Sequence, residues 1–364
     1  MAESSGISWT DGTWNPWIGC TKVSPACKFC YAERDMDHRY HRVTWGPNGT
    51  RVVTSDGNWK KPLRWNRLAA DGICIGCAGK GSLKGGVTCD TCDGSGAVDR
   101  RQRVFCASLA DIFEDWKGDM LNHQGSLLST PTYIEGTGIG TGWTYRQVTM
   151  DDVRTKVFEL WRETPHIDWL VLTKRPENIK PMGCPQLPNL WLGTTVESQE
   201  YADKRIPELL KCRDLAPVLF LSCEPLVGPI EFSDVTMRSD VVSQLGKKAL
   251  SGIDWVIAGG ESGPEARPSH PDWFRSLRDQ CAAAGVPFHF KQWGCWVTLH
   301  QSYEADEARR RGNNPGFVRI DGDGKPDPHA STIVYQFGVK TAGRLLDGVE
   351  HNAFPEPVQV GEQR

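Results

Sequence analysis

The sequence predicts an α/β protein built on a parallel β-sheet. Short β-rich runs recur along the chain, and each ends in polar, Gly or Pro residues, as is typical of buried parallel strands. Helical patterns lie between these runs, and such alternation favours a parallel sheet with helices outside it. The chain has 364 residues, of which 39% are hydrophobic and 24% charged, and this suits one large domain with insertions.

Six β-rich runs are predicted to be strands of this sheet. They are Val104–Ser108, Trp169–Thr173, Leu190–Thr194, Val218–Ser222, Trp255–Ala258 and Pro287–Phe290. Two predicted helices have ordinary boundaries: Asp151–Glu163 begins with acidic residues, while Pro271–Ala284 begins with Pro and is followed by Gly285. This order of elements fits either a closed barrel or an open doubly wound sheet.

Polar side chains follow the predicted strands at the points where the strands end. They are Ser108 to Asp111, Thr173 to Arg175, Glu197, Ser222 to Glu224, Glu261 and Lys291. The carboxyl ends of parallel strands build the active site in barrels and in open α/β sheets alike. We therefore expect the functional site at this edge, whichever of the two architectures the chain adopts.

The 13 cysteines of the chain favour metal ligation over a disulfide framework. Their number is odd, the N-terminus lacks the features of a signal peptide, and no run approaches the roughly 18 apolar residues that span a bilayer. We expect a soluble, cytoplasmic protein without a membrane partner. Seven cysteines form two tight groups, and the other six are expected to be small core residues.

The first cysteine group contains Cys20, Cys27 and Cys30 with the spacing C-x6-C-x2-C. Three thiolates on a [4Fe–4S] cluster leave one iron open for an external ligand, whereas structural zinc normally has four protein ligands. An open iron can chelate S-adenosylmethionine, and electron transfer then cleaves a carbon–sulfur bond to give a 5′-deoxyadenosyl radical. The alternative is a zinc knuckle completed by His38 or His41.

At these residues the sequence resembles the radical S-adenosylmethionine superfamily. The usual motif of that superfamily has an aromatic residue before the third cysteine, which Phe29 matches, but only three residues between the first two cysteines, where this chain has six. Further blocks resemble a phage- and bacterium-encoded three-cysteine-motif family that is radical-S-adenosylmethionine-like. They are WTDGTWNPWIGCTKVSPACKFCYAE, LTKRPEN, WLGTTVES, LSCEPLVGPI, WVIAGGESGPEARP, FKQWG and KTAGRLLDG.

The resemblance implies a partial (β/α)6-type radical-SAM barrel with the cluster in the loop after the first strand. It also implies a separately encoded partner protein and an external electron donor. The implied fold and cluster position are similar to those of spore photoproduct lyase, a DNA-repair enzyme.

The resemblance also implies roles for residues at the strand ends. Ser108 and Asp111 would bind the amino group of the cofactor, and Glu197 and Glu224 would accept hydrogen bonds from ribose hydroxyls. Glu261 would contact cofactor or substrate. Lys174, Arg175 and Lys291 would bind a carboxylate or a substrate phosphate, and the candidate catalytic residues are Lys174, Glu261 and Lys291. The alternative for each residue is an internal ion pair.

The second cysteine group contains two copies of C-x2-C-x-G-x-G, at Cys74/Cys77 and Cys89/Cys92, with eleven residues between Cys77 and Cys89. Each copy offers two thiolates to one tetrahedral Zn²⁺, and the glycines permit tight turns around sulfur. The pattern resembles the zinc-binding repeats of the DnaJ chaperones. A second iron–sulfur cluster is the competing interpretation.

The predicted organisation has four parts. Residues 1–42 carry the first strand and the cluster loop, residues 43–103 form an inserted, basic, zinc-binding lobe, and residues 104–299 complete the α/β barrel. Residues 300–364 form a C-terminal capping extension with a helix at Thr341–Leu346. Residues 117–146, with a glycine run at 136–142, are predicted to be a loop.

The distribution of charge favours a nucleic-acid partner. The chain has a formal charge of −3, yet residues 34–103 carry 13 Lys/Arg against 7 Asp/Glu, a local charge of +6. Basic and aromatic side chains suited to phosphates and bases flank the second cysteine group; they are Trp59, Lys60, Lys61, Arg64, Trp65 and Arg67, followed by Arg100, Arg101 and Arg103. The alternative is plain solvated charge with buried tryptophan.

The sequence therefore predicts a radical S-adenosylmethionine enzyme with a structural zinc insertion, acting on DNA or another nucleic acid in lesion repair or base modification. The alternative function is a non-catalytic, metal-stabilised module that binds nucleic acid or protein. In that case both cysteine groups are structural.

Overall fold

The computed structural model of the chain describes residues 6–134, 142–235 and 249–356. The strands are β1 (Gly12–Trp14), β2 (Trp17–Ile18), β3 (Arg51–Val53), β4 (Gln102–Cys106), β5 (Met120–Leu121), β6 (Ser129–Ile134), β7 (Gly142–Gln147), β8 (Ile167–Thr173), β9 (Leu190–Thr195), β10 (Val218–Cys223), β11 (Trp255–Gly259), β12 (Phe288–Gln292), β13 (Trp296–Val297), β14 (Phe317–Ile320) and β15 (Thr332–Gln336). The helices are α1 (Tyr31–Glu33), α2 (Asp56–Trp59), α3 (Lys61–Ala70), α4 (Met150–Glu163), α5 (Gln199–Leu210), α6 (Pro271–Ala284), α7 (Tyr303–Arg310) and α8 (Val339–Ala342), and Arg34–Arg39 forms a π-helix.

The main sheet has seven strands in the order β1-β4-β8-β9-β10-β11-β12. The pairs β1–β4, β4–β8, β9–β10, β10–β11 and β11–β12 are parallel. The mixed α/β class and the parallel sheet are confirmed, and each of the six predicted runs lies within two residues of an observed strand. Closure into a radical-SAM barrel stays a prediction.

The two long predicted helices are confirmed as α4 and α6. Helix α4 begins with a capping box in which Thr149 and Asp152 exchange hydrogen bonds, and it buries one apolar face. Helix α6 begins after His270, whose side chain accepts a hydrogen bond from the Asp272 N–H, and ends at Gly285 with a positive φ of 69°. None of the helices that the structure describes is long and apolar enough to cross a membrane.

Two local predictions are wrong. Within the predicted loop 117–146, β6 and β7 pair as an antiparallel two-stranded sheet, and most of the glycine run at 136–142 lies outside the described residues. The predicted helix at Thr341–Leu346 is instead the short helix α8, which is followed by Gly343 with a φ of 73°. A glycine at positive φ is a common way to end a helix. The predicted helix ran through Gly343 because the prediction did not take this glycine as a helix end.

The chain divides into two compact units. The first contains Thr10–Lys22 and Ala32–Val171, and its core is rich in tryptophan: Trp14 packs edge-on against Trp59 and Trp169, with ring centroids 5.1 and 5.5 Å apart. The second contains Ile7–Trp9, Val23–Tyr31 and Leu172–Arg364. In its core Trp255 lies edge-on to Trp9 and Trp191, at 6.3 and 6.1 Å.

Candidate metal centre and functional site

Cys74, Cys77, Cys89 and Cys92 form a compact buried group in the first unit. Their four Sγ atoms lie within 4.8 Å of one another, with 3.8 Å between Cys74 and Cys89 and 3.7 Å between Cys77 and Cys92. Leu83 and Val98 pack against the group. Four buried thiols that converge in this way could hold a metal ion.

The glycines of the repeated motif explain why the two copies approach so closely. The N–H groups of Gly81 and Gly96 each donate a hydrogen bond to a thiol of their own copy, Cys77 Sγ and Cys92 Sγ, both at 3.3 Å. A Cβ at Gly81 would collide with the carbonyl oxygen of Gly94, and a Cβ at Gly96 would collide with that of Gly79. Each copy therefore packs its glycine backbone on the other.

Arg51 holds the backbone around Cys20 in the first unit. Its guanidinium donates two 2.8 Å hydrogen bonds to the Glu114 carboxylate, and both side chains are buried. It also donates to Thr21 Oγ1 at 2.8 Å and to the Thr50 carbonyl at 2.9 Å, and it lies 3.9 Å from the centre of the Trp116 ring. The residue that follows Cys20 is thus tied to a buried ion pair.

Glu197 holds the backbone beside Cys27 in the second unit. Its side chain is 0% exposed, Oε2 accepts a 2.7 Å hydrogen bond from Arg205, and Oε1 accepts a 3.4 Å hydrogen bond from the Ala26 N–H. Because Glu197 follows β9, this contact joins the cysteine segment to the carboxyl end of a strand.

Glu261 and Arg267 hold the same segment from the end of β11. Arg267 donates to both Glu261 carboxylate oxygens, from Nε at 2.8 Å and from Nη2 at 2.6 Å. Nη2 also donates to the Pro25 carbonyl at 3.0 Å, and the guanidinium carbon lies 5.5 Å from the centre of the half-buried Phe29 ring. The segment that precedes Cys30 is therefore held by two ion pairs of its own unit.

The other predicted site residues at the strand ends have different surroundings. Ser108 accepts a 3.0 Å hydrogen bond from Asn15, and buried Asp111 accepts one from the Phe113 N–H at 3.0 Å. Glu224 lies 3.0 Å from the Lys291 ammonium, and their side chains are 13% and 26% exposed. Lys174 is half-buried after β8.

A family model with the description "Protein of unknown function (DUF5131)" matches residues 4–123 and 143–355. The chain belongs to this family. No curated protein and no solved structure matches it. The matched ranges of this DUF5131 protein include both cysteine groups and every predicted site residue.

The predicted nucleic-acid residues of the DUF5131 chain divide into two sets. Lys60, the N-cap residue of α3, and Arg64 and Arg67 within α3 are exposed and follow the i, i+4, i+7 spacing of one helix face. The prediction for Trp65 is wrong: its side chain is 1% exposed, so the ring belongs to the core and is not available for stacking on bases. Trp59 and Lys61 are half-buried, and the Trp59 ring packs on Trp14.

The basic residues after the second cysteine group are occupied by internal ion pairs. Arg100 makes two hydrogen bonds to Asp11, at 2.7 and 2.8 Å, and this contact raises the pKa of the arginine. Arg101 donates to Asp168 at 2.6 Å. Burial lowers the pKa of Arg103 to about 10, and its Nε lies 3.9 Å from Asp11. These three arginines contribute little free positive charge to a surface.

Sequence reasoning missed Arg51, Glu114, Arg205 and Arg267, which organise the backbone around the first cysteine group. Arg267 stands in the block WVIAGGESGPEARP, so the motif comparison contained it without giving it a role. Arg205 lies eight positions from its partner Glu197, across the turn between β9 and α5, whereas Arg51 and Glu114 are separated by 63 positions. No local spacing rule indicates such a pair.

Proposed function

We propose that this DUF5131 protein is a radical S-adenosylmethionine enzyme that holds a [4Fe–4S] cluster through Cys20, Cys27 and Cys30. The observation that carries the proposal is the attachment of residues 25–29 to the carboxyl ends of parallel strands, through the Ala26 hydrogen bond to Glu197 and the Arg267 hydrogen bond to Pro25. That edge of a parallel sheet is where α/β proteins assemble active sites.

The number and type of donors support the proposal. The three cysteines are half-buried, so their thiolates are sheltered yet accessible to an incoming group, and a set of three leaves one iron for an external ligand. When bound, the cluster supplies the electron that cleaves S-adenosylmethionine. Glu224, which accepts a hydrogen bond from Ser222 at the end of β10, and its ion-pair partner Lys291 in β12 are partly exposed. They are the charged groups best suited to contact cofactor or substrate.

The second cysteine group suits a structural zinc ion. A regular tetrahedron with Zn–S bonds of about 2.3 Å has sulfur atoms about 3.8 Å apart, and the observed separations are 3.8 and 3.7 Å. A four-iron cluster would hold its thiolates farther apart, because each thiolate binds a different iron. We propose that the zinc orders a glycine-rich insertion that is too small for an apolar core of its own.

The proposed substrate is DNA or another nucleic acid, as a lesion or a base to be modified. The exposed basic face of α3, formed by Lys60, Arg64 and Arg67, supports this proposal because phosphate contacts supply much of the affinity for nucleic acid. A separately encoded partner protein, an external electron donor and a cytoplasmic location complete the proposal.

Anaerobic reconstitution followed by metal analysis and a cleavage assay tests the proposal. We expect about four irons with equivalent sulfide, about one zinc, and formation of 5′-deoxyadenosine from S-adenosylmethionine under reducing conditions. The Cys74→Ala/Cys77→Ala variant should lose zinc and keep iron; loss of iron instead would assign a second cluster to that group. A protein that takes up iron and sulfide without cleaving S-adenosylmethionine would favour the non-catalytic module.

A further inference from the structure

Three arginine–carboxylate pairs contact the three-cysteine segment. The sequence left an internal ion pair open as the alternative for Glu197 and Glu261, but it identified none of the three arginines. The pairs are Arg51–Glu114, Arg205–Glu197 and Arg267–Glu261. We propose that these are positioning pairs, which fix the backbone beside the cluster cysteines, and that Glu197 and Glu261 contact neither cofactor nor substrate. The part of this inference that concerns a cluster rests on the proposed function; the part that concerns the backbone does not.

Both carboxylate oxygens of Glu197 are engaged by the protein itself and shielded from solvent. Oε2 accepts from Arg205 and Oε1 from the Ala26 N–H, and the carboxylate is 0% exposed. Arg205 is itself held in place, because Nη1 also donates to the Thr195 carbonyl at 2.9 Å and the guanidinium lies 4.3 Å from the centre of the Tyr201 ring. A hydroxyl could reach Glu197 only by displacing a buried cation or the cysteine segment.

Glu261 is satisfied in the same way by a single arginine. The backbone N–H and Nε of Arg267 both donate to Oε2, each at 2.8 Å, while Nη2 donates to Oε1. The rigid fork of an arginine can grip a carboxylate with two donors and still offer one to a third group. Here the third group is the Pro25 carbonyl, and the Phe29 ring provides a cation–π contact beside it.

Arg51 performs the corresponding task at the other end of the segment, within the first unit. Its contacts reach Thr21, which follows Cys20, and the backbone carbonyl of Thr50. The Cys20 carbonyl accepts a 3.0 Å hydrogen bond from the Gly46 N–H, so both faces of this turn are tied to the surrounding chain.

Fixing the segment in advance has a functional consequence. A disordered loop loses conformational entropy when it closes on a ligand, and a loop that is already ordered avoids most of that loss. The pairs should therefore slow the release of the cluster and hold its surroundings constant. The Glu224–Lys291 pair differs in that its carboxylate is the more exposed, at 13% against 5% for Glu261 and 0% for Glu197, and no contact of this pair with residues 20–30 is among those described above.

Hydrogen exchange of the metal-free, full-length protein tests the backbone part. We expect Arg267→Ala and Glu197→Ala to raise exchange within residues 23–31 at least tenfold. Arg267→Lys should be intermediate, because an ammonium cannot bridge Glu261 and Pro25 as a fork does. The matched control is Glu200→Ala, which removes an exposed carboxylate that pairs with Lys204 one turn along α5. It should leave exchange in residues 23–31 unchanged. Since Arg267 is partly exposed, its variants should fold even if Glu197→Ala does not.

Iron release and cofactor binding test the remaining part. In reconstituted Arg267→Ala, transfer of iron to a chelator should be at least tenfold faster and the electron paramagnetic resonance signal of the reduced cluster should change, while affinity for S-adenosylmethionine per cluster is kept. Unchanged exchange in residues 23–31 would overturn the inference, as would a loss of S-adenosylmethionine binding with the segment still ordered. If even the wild-type protein takes up no cluster, the proposed function fails, and the exchange experiment still decides whether the pairs position the backbone.

Discussion

At the residue scale, Arg51 and Glu114 show how a buried ion pair can be maintained in a core despite its desolvation cost. Removing two charges from water costs several kcal/mol per ion, and only excellent geometry with further hydrogen bonds offsets that cost. Arg51 has both: a two-point contact with Glu114 and hydrogen bonds to Thr21 and Thr50. The pair thereby fixes the residue that follows Cys20, whereas an apolar pair of the same volume would leave Thr21 without this donor.

The cost of breaking this pair can be measured. Glu114→Gln should lower the free energy of unfolding by about 3 kcal/mol, because it leaves the Arg51 cation buried without a counter-charge. The double variant Arg51→Met/Glu114→Leu should lose less, since no uncompensated charge remains. Urea unfolding of both proteins provides the comparison. An equal or larger loss in the double variant would show that the hydrogen bonds of Arg51 matter more than its charge balance.

At the element scale, the glycine-rich turns of the four-cysteine group decide whether its two copies can meet. Gly81→Ala should lower zinc affinity at least tenfold, because a Cβ there collides with the Gly94 carbonyl and the backbone has a positive φ of 69°. Gly85→Ala is the matched control: Gly85 has a φ of 89° and nothing within 4 Å of the added carbon. Competition with a zinc chelator measures both. Equal losses would assign the effect to backbone strain rather than to close approach of the copies.

Helix α3 carries its charge on one face, and this gives the nucleic-acid proposal a quantitative test. If Lys60, Arg64 and Arg67 each neutralise one phosphate, changing all three to Ser should reduce the slope of log affinity against log salt by about 2.7 for duplex DNA. The control is Arg309→Ser/Arg310→Ser/Arg311→Ser, which removes the same charge from exposed residues at the end of α7. Fluorescence anisotropy at several salt concentrations, with the partner protein present, measures the slope. Equal effects would indicate a general dependence on net charge.

At the scale of the whole molecule, the sequence predicted what depends on local pattern. Runs such as Trp255–Ala258 are apolar and followed by Gly, so the parallel strands and their polar ends could be predicted. The two copies of C-x2-C-x-G-x-G likewise indicated the metal group. Contacts between residues far apart in the sequence could not be predicted in this way: Glu197 accepts a hydrogen bond from the Ala26 N–H, 171 positions away. For the same reason the sequence predicted Glu197 at a strand end but could not show that its oxygens are engaged by the chain itself.

The independence of the two cysteine groups is the prediction that concerns the molecule as a whole. The second group brings four thiols together by itself, so it needs no ligand from the first group. The ion pairs around the three-cysteine segment contact its backbone atoms and the Phe29 ring rather than its thiols. Changing Cys20, Cys27 and Cys30 together to Ala should therefore remove about four irons and leave about one zinc. Circular dichroism and the salt dependence of nucleic-acid binding should stay as in the wild type, because the α3 face does not include these cysteines. Unchanged iron and sulfide in the triple variant would reject the cluster assignment, and simultaneous loss of zinc would show that the two groups depend on each other for folding.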